Sequence, residues 1–203
     1  MVKRLIDIMG AYFGLLILFP IFIFVAIMIK LTSEGPVFYR ARRVGKNKKI
    51  FLMYKFRSMV TNADQIGGPS TSENDPRITP IGHFIRKCKI DELSQLINVL
   101  KGEMSLVGPR PEVVSEVELY SSDCDIIFTV RPGITDMASI EFRNEGEIIS
   151  NSGIEDPHEA YKQLIQPKKL ELQKQYARSN NVFNDLKIIA QTILAVFGKT
   201  ENE

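Results

Sequence analysis

The chain has 203 residues, with 26 Lys or Arg, 24 Asp or Glu and a formal net charge of +2. This length fits one domain, or one domain with an appendage. So weak a basic bias gives no reason to predict a nucleic-acid-binding protein. Basic residues nevertheless crowd into residues 40–49. Such a cluster suits phosphates or anionic lipid headgroups, and a solvated charge run is the alternative.

An uncharged, mostly apolar run extends from Ala11 to Ile29. As a helix it would measure about 28 Å, close to the thickness of the hydrocarbon core of a bilayer. A helix of a soluble core would normally have a polar face, and this run has none. We therefore predict a membrane-anchoring segment over residues 1–31 and a cytoplasmic domain over residues 32–203.

Positive residues lie on both sides of this run, with Lys3 and Arg4 before it and Lys30 after it. Because positive charge near a membrane end favours the cytoplasm, both ends are predicted to face that side. Pro20 lies in the middle of the run, where it removes a backbone hydrogen bond and favours a bend. These features predict a re-entrant helix, and a kinked helix that spans the membrane is the alternative.

Two runs of strand-forming residues, 37–39 and 50–56, predict a β-hairpin after the membrane segment. Lys55 and Arg57 end the second run. Both are candidates for phosphate binding, and ordinary charge at a strand edge is the alternative for each. Residues 62–80 are polar and contain several Gly and Pro residues, which predicts a loop or a lid.

Two adjacent carboxylates, Asp91 and Glu92, precede a stretch over residues 93–100 in which apolar residues recur with helical spacing. Gly102 lies where such a helix would end. The pair is therefore predicted at a helix N-terminus, where negative charge is favoured. An ordinary helix cap is the alternative interpretation of Asp91.

Arginines near this pair are candidates for phosphate binding. Arg86 precedes the pair, and Arg110 lies between prolines in a loop with few conformations. Arg131 lies in a second turn with Pro and Gly, whereas Arg143 cannot be placed from first principles. Two carboxylates that face several fixed cations can hold a divalent metal and a phosphate together.

The C-terminal part is predicted to be helical. Asp156-Pro157 has the signature of a helix start, a charged helix over residues 161–178 is broken at Pro167, and residues 183–197 form a last amphipathic helix. The apolar side of this last helix packs on the core or lies at a membrane interface. That side comprises Phe183, Leu186, Ile189, Ile193 and either Val196 or Phe197.

Five motifs occur in an order that resembles one protein family. They are EGPVFYRARRVGK at 34–46, YKFRSM at 54–59, DPRITPIGHFIRK at 75–87, IDELSQLINVLKGEMSLVGPRP at 90–111 and RPGIT at 131–135. Together they resemble the bacterial sugar transferases, that is, the monotopic phosphoglycosyl transferases or polyprenyl-phosphate hexose-1-phosphate transferases. The likeness runs from Lys3 to about Thr135 and is fainter in PKKLELQ and DLKII near the C-terminus.

The resemblance implies a reaction in which a sugar-1-phosphate moves from a UDP-sugar onto undecaprenyl phosphate with release of UMP. This is the first membrane step of surface glycan synthesis. It also implies Mg²⁺ as cofactor, Asp91 and Glu92 as the catalytic pair, and Asp91 as the nucleophile that forms a covalent phosphosugar. Both acids are candidate metal ligands, and for Glu92 a role as the partner that tunes Asp91 is the alternative. The phosphate-binding or substrate-binding candidates are Lys55, Arg57, Arg86, Arg110, Arg131 and Arg143.

The resemblance also implies a location on the cytoplasmic face of the bacterial inner membrane. The expected fold is α+β and mostly helical, with an N-terminal re-entrant membrane helix, a small β-hairpin and a helical catalytic domain with interfacial amphipathic helices. The expected partners are a UDP-sugar, undecaprenyl phosphate and the lipid bilayer, but not nucleic acid. The sequence does not determine the oligomeric state, and a homodimer is one possible state.

One position and one longer stretch depart from the sequence pattern of this family. Phe19 precedes Pro20, where members often have serine, so the bend lacks a hydroxyl for a freed carbonyl. After RPGIT many members continue with G-x-A-Q-V-x-G-R-N, whereas this chain continues with residues 136–144, in which Arg143 and Asn144 align with the closing R-N. If that region helps to select the nucleotide or the sugar, the specificity differs here.

Two other functions are alternatives. Asp123-Cys124-Asp125 is a D-x-D sequence, which in conventional glycosyltransferases holds a metal on a nucleotide sugar, and release of UDP would favour that class. A membrane-anchored basic module that binds anions without turnover is the second alternative. It predicts binding that falls steeply with salt.

Overall fold

The computed structural model of the protein describes residues 2–66 and 75–197. Two small sheets accompany the helices. Strands β1 (Phe38–Val44) and β2 (Ile50–Phe56) form an antiparallel hairpin, and β3 (Ser105–Val107) pairs in parallel with β4 (Gly133–Thr135). The predicted mostly helical fold with a small hairpin is confirmed. Gly67, Gly68 and Pro69 of the predicted loop lie outside the described residues.

The helices surround these strands and are mostly short. In chain order they are α1 (Val2–Thr32), α2 (Ala63–Ile66), α3 (Pro80–Lys87), α4 (Leu96–Lys101), α5 (Val114–Val117), α6 (Met137–Glu141), α7 (Glu145–Ser150), α8 (Pro157–Leu164), α9 (Gln166–Ser179) and α10 (Val182–Phe197). The 3₁₀ segments are Lys46–Lys48, Ile90–Gln95 and Ser122–Thr129.

The first helix is a single α-helix of 31 residues, and Pro20 lies inside it without dividing it. Its length is about 46 Å at 1.5 Å per residue. Within the described residues it is the one helix whose length and composition would allow it to cross a membrane. Its outer side is apolar and exposed, with Ile17 74% exposed.

Both halves of α1 contact the same domain. In the N-terminal half, Ala11 is buried in a core cluster that includes Val99 of α4. In the C-terminal half, Val25 and Ile29 are buried against Phe56 of β2. The helix therefore lies along the domain over most of its length, and its two ends do not separate from it.

Polar contacts anchor the start of α1. The Lys3 ammonium lies 2.5 Å from a carboxylate oxygen of Asp185 in α10. The carboxylate of Asp7 is buried and accepts hydrogen bonds from the Ser105 hydroxyl, at 2.9 Å, and from the Leu106 N–H, at 3.0 Å. A buried carboxylate is costly unless it is satisfied in this way. These contacts fix α1 to α10 and to β3, which leads to the loop that contains Arg110.

The predicted hairpin is confirmed, and its first strand is longer than predicted because it continues through the basic residues. Asn98 of α4 covers the free edge of β2. Its side-chain oxygen accepts from Tyr54 N–H at 2.9 Å and its nitrogen donates to Leu52 C=O at 2.8 Å. The amide thus replaces a neighbouring strand, and it fixes α4 beside β2.

The C-terminal helices begin and end close to the predicted residues. Asp156 caps α8 by accepting from His158 N–H at 2.9 Å. The predicted break lies at Ile165, so that Pro167 falls in the first turn of α9 rather than between the helices. This position is the one at which a helix tolerates proline, since the missing N–H has no partner there in any case.

Only part of the predicted apolar side of α10 packs on the core. Ile189 is half-buried against the core, whereas Phe183 is 77% exposed and Leu186 and Ile193 are also exposed. The buried positions are instead Asp185 and Ile188. The ion pair between Asp185 and Lys3 turns that side of the helix inward. The placement of the exposed side at a membrane interface stays a prediction, and the side chains of Val196 and Phe197 lie outside the described residues.

Candidate active site

Asp91 and Glu92 lie in the 3₁₀ segment Ile90–Gln95, which continues directly into α4. The position before the segment is occupied by Lys89, at a φ of 55°, and no side chain caps the segment. Asp91 is therefore not a helix cap, and the alternative interpretation of this residue as an ordinary cap is wrong. Gly102 ends α4 with a φ of 83°, as predicted.

Glu92 is held by two cations from other segments. Its Oε1 accepts from Lys55 Nζ at 3.1 Å, and its Oε2 accepts from Arg110 Nη1 at 2.9 Å. The second nitrogen of the Arg110 fork also contacts Oε1. Burial raises the pKa of Glu92, but the positive charges of Arg110 and Lys55 outweigh burial and hold this pKa below its usual range. Glu92 is thus an ionised, fully engaged carboxylate.

Asp91 has the opposite environment. Its side chain is half-buried, and it forms no ion pair with any residue in the described ranges. Burial raises the pKa of Asp91, the charge of Lys55 opposes this effect, and the negative charge of Glu92 adds to it. A carboxylate without its own cation, beside two cations that hold its neighbour, is available to a metal ion or to a phosphorus atom.

The loop that contains Arg110 is fixed by contact between two backbones. Gly108 N–H donates to Thr135 C=O and Gly133 N–H donates to Pro109 C=O, both at 3.0 Å. A Cβ atom on Gly133 would lie 2.0 Å from the Gly108 nitrogen, so no side chain fits there. The two glycines explain why the GPRP and RPGIT motifs occur together, since each loop needs the other at close range.

Among the other predicted arginines, Arg86 belongs to this site. It lies in the last turn of α3, is half-buried, and its positive charge lowers the pKa of Asp91. Arg86 forms no ion pair within the part of the chain that the structure describes. Its guanidinium is therefore available to phosphate oxygens.

Three predicted arginines bind backbone carbonyls elsewhere. Arg57 is buried and donates to the carbonyls of residues 33 and 34 after α1. Arg131 Nε donates to Gly102 C=O at 2.8 Å, at the far end of α4, and Arg143 donates to a carbonyl of α10 at 2.9 Å. The structure therefore gives these arginines helix-end contacts, which complement the helix dipole. Their contacts with substrate stay predictions.

The acidic pair suits a metal site that depends on the substrate. Among residues 2–66 and 75–197, no group of three or more His, Cys, Asp or Glu side chains could hold a metal ion. Magnesium usually takes one or two carboxylates together with phosphates and waters. Asp91 fits this pattern, whereas Glu92 does not, because Arg110 and Lys55 occupy its oxygens.

The D-x-D acids lie on the surface in separate ion pairs. The Asp123 carboxylate contacts Lys174 Nζ at 2.7 Å, and the Asp125 carboxylate contacts Lys48 Nζ at 2.7 Å. Both side chains are 58% exposed. Each exposed acid is thus paired with a different lysine, which is ordinary surface chemistry.

Sequence reasoning missed Asn98, which positions the segment that contains Asp91 and Glu92. Besides the edge of β2, its amide nitrogen donates to Glu103 at 2.7 Å. The available signal was a polar residue between Ile97 and Val99 in an apolar stretch, since a buried amide requires partners.

The chain matches the family described as bacterial sugar transferase over residues 1–199. It is 42% identical over 205 residues to the galactosyl transferase CpsE of Streptococcus agalactiae, with 96% of this chain and 42% of CpsE covered. It is 34% identical over 211 residues to the exopolysaccharide production protein ExoY of Rhizobium meliloti, with 97% and 85% covered.

A third relative is the UDP-glucose:undecaprenyl-phosphate glucose-1-phosphate transferase of Escherichia coli, which is 36% identical over 202 residues, with 97% of this chain and 40% of that protein covered. The chain therefore spans less than half the length of CpsE and of the Escherichia coli transferase, but most of ExoY. The family match over nearly all of the chain agrees with the five ordered motifs, and the chain belongs to the bacterial sugar transferase family.

Proposed function

We propose that the protein transfers a sugar-1-phosphate from a UDP-sugar to undecaprenyl phosphate and releases UMP. The names of relatives, such as the undecaprenyl-phosphate galactose phosphotransferase of Salmonella typhimurium, support this class of reaction. One observation carries the proposal. Asp91 is half-buried and forms no ion pair with any described residue, whereas its neighbour Glu92 is held by Arg110 and Lys55.

In the first step, a carboxylate oxygen of Asp91 attacks the phosphorus that bears the sugar. The bond from that phosphorus to the bridging oxygen of the diphosphate breaks, and UMP leaves with the electron pair. The product is an acyl phosphate that links Asp91 to the sugar phosphate. A carboxylate is a competent nucleophile for such a transfer.

In the second step, a phosphate oxygen of undecaprenyl phosphate attacks the same phosphorus. The bond to Asp91 breaks, the carboxylate is restored, and the sugar is left on a lipid diphosphate. Each step exchanges one phosphorus–oxygen bond for another, so that no external acid or oxidant is needed. What the site must supply is position and positive charge.

The cations of the site are fixed before substrate binds. Glu92 holds Lys55 and the fork of Arg110, so that little ordering is needed when phosphate oxygens approach. Arg86, in the last turn of α3, adds a guanidinium with no ion pair among the described residues. This arrangement supplies positive charge around Asp91 without neutralising Asp91 itself.

Magnesium is part of the proposal, and Asp91 is the residue that would hold it together with substrate phosphates. When bound, it would offset the negative charge of the diphosphate. Glu92 acts on Arg110 and Lys55 instead of on the metal. The sequence left two roles open for Glu92, a second metal ligand or a partner that tunes Asp91, and this proposal takes the second.

The placement of α1 supports a re-entrant arrangement on the cytoplasmic face of the bacterial inner membrane. Its N-terminal end contacts Asp185, and its C-terminal end contacts Phe56, both in the same domain. A helix that crossed the bilayer would move one of these ends away from the domain. The exposed apolar side of α1 would then lie in the lipid, with Lys3 and Lys30 both at the cytoplasmic side.

A panel of UDP-sugars with undecaprenyl phosphate tests the reaction. We expect UMP release with at least one sugar, and loss of that release when the lipid phosphate or magnesium is omitted. Release of UDP would instead favour the D-x-D glycosyltransferase. Binding without turnover, with a steep dependence on salt, would favour the anion-binding module.

Trapping of the intermediate tests the nucleophile. With a UDP-sugar labelled at the phosphate next to the sugar, we expect covalent label on the wild-type protein and none on Asp91→Asn. Asp125→Asn is a matched control, because it makes the same change at an exposed acid. Equal labelling of wild type and Asp91→Asn would reject Asp91 as the nucleophile.

Cysteine labelling tests the membrane arrangement. In a variant in which the exposed Cys88 is replaced, Val2→Cys and Glu34→Cys would each be treated with an impermeant reagent in sealed inverted vesicles. We expect both positions to react from the cytoplasmic side. Reaction from opposite sides would establish a spanning helix.

A further inference from the structure

Asp136 is a buried carboxylate that joins three segments around Arg110. It is 1% exposed. Its Oδ1 accepts from Ser139 N–H at 2.7 Å and so caps α6. Its Oδ2 accepts from the backbone N–H of Arg110 at 3.1 Å and from the side-chain amide of Gln173 in α9 at 3.2 Å. The carboxylate thus satisfies three donors that are far apart in sequence.

Arg110 is consequently held at both ends. Its backbone N–H is bound by Asp136, and its guanidinium binds Glu92 in a fork. A fork keeps its geometry only when its own backbone is fixed, because the side chain has several rotatable bonds. The prolines on either side of Arg110 restrict the backbone dihedral angles but do not fix the position of the loop.

We propose that Asp136 is a positioning residue of the transfer reaction, which holds the Arg110 backbone so that Glu92 stays paired and Asp91 stays free. This inference rests on the proposed function. In the proposed reaction Asp136 does not contact the substrate. It affects the rate of transfer only by holding Arg110 in place.

The two oxygens of Asp136 have separable tasks. A helix cap needs one oxygen, and serine is among the best capping residues. The second oxygen is the one that binds Arg110 and Gln173. Asp136→Ser therefore keeps the cap of α6 and removes the acceptor that Arg110 and Gln173 share, so that a double-mutant cycle is needed to show whether the loss passes through Arg110.

The first experiment measures kcat/KM for the preferred UDP-sugar in Asp136→Ser. We expect a decrease on the order of tenfold or more, because a buried hydrogen bond to a charged acceptor is lost and the Arg110 N–H keeps no partner. Asp156→Ser is the matched control, since Asp156 caps α8 at the surface. We expect that variant to stay within about twofold of wild type.

The second experiment is a double-mutant cycle with Arg110→Ala, which removes the guanidinium that the Asp136 contact positions. If Asp136 acts through Arg110, the double variant should be slower than Arg110→Ala by no more than about twofold. Effects that multiply would show that Asp136 acts independently of Arg110 and would overturn the proposal. A merely structural role predicts this multiplication.

The outcomes also distinguish this proposal from the proposed function. If wild type releases no UMP with any UDP-sugar, the proposed function fails. If wild type and Asp156→Ser are active and Asp136→Ser has the same kcat/KM, Asp136 is not a positioning residue. If Asp136→Ser fails to fold, as shown by its thermal unfolding, Asp136 serves the fold rather than the site, and the proposal is overturned.

Discussion

Two acidic pairs of this protein, Asp91–Glu92 and Asp123–Asp125, have similar composition and different surroundings. In the second pair each acid is exposed and has its own lysine. In the first pair both cations, Lys55 and Arg110, bind Glu92, and Asp91 forms no ion pair with the described residues. Burial and an unequal share of cations thus distinguish Asp91 from the exposed acids, and this difference is what its proposed role as nucleophile requires.

The physical basis is the difference in screening. Exposed ion pairs are weakened by water and salt and contribute little. The cations around Glu92 come from residues 37 and 18 positions away in the sequence and are partly buried. They are therefore held by the fold rather than by their partner alone.

The largest effect in this comparison is expected for Glu92→Gln. The neutral amide leaves Lys55 and Arg110 without their carboxylate, so that either can move to Asp91 and neutralise it. We expect turnover to fall by about 10²- to 10³-fold and the free energy of unfolding to fall by about 1–3 kcal/mol. UMP release and chemical denaturation measure the two effects. Turnover within threefold of wild type would contradict a need for the paired Glu92.

A smaller loss is expected for Arg110→Lys. The charge is retained, but a lysine cannot bind both oxygens of Glu92 as a planar fork does. We expect turnover to fall by about 10- to 100-fold with the KM for the UDP-sugar less affected than kcat. Steady-state kinetics decides this, and a lysine variant as active as wild type would show that charge alone suffices.

Asn98→Ala should act mainly on stability. It removes the acceptor for Tyr54 N–H and the donor to Leu52 C=O at the edge of β2. We expect the free energy of unfolding to fall by about 2–3 kcal/mol, since two backbone groups lose their partners. Denaturant unfolding measures this against Asn151→Ala, an exposed control. Equal midpoints for the two variants would argue against the edge contact.

The smallest effect is expected for the double variant Asp123→Asn/Asp125→Asn. Both acids are 58% exposed, so that their ion pairs are screened by water. We expect turnover to stay within about twofold of wild type. A large loss of turnover would show that the exposed pair also takes part in the reaction. That result would favour the D-x-D glycosyltransferase.

Sequence signals that involve only neighbouring residues predicted the helix ends and the long helix correctly. Gly102 ends α4 in the left-handed region, Asp156 caps α8, and the apolar run forms a long helix. Each of these depends on residues within a few positions of one another. The side of α10 that packs could not be predicted, because Asp185 is drawn inward by Lys3, which is 182 positions away.

The sequence by itself determined the family, the acidic pair and the positions of α1, α4 and the three C-terminal helices, because motifs, caps and apolar periodicity are short-range properties. Only the tertiary structure decided which acid is paired and which is free. It also decided that Arg57, Arg131 and Arg143 bind helix-end carbonyls. The physical reason is that the partner of a charged side chain is chosen by burial and by distance in space, and neither is a function of spacing along the chain.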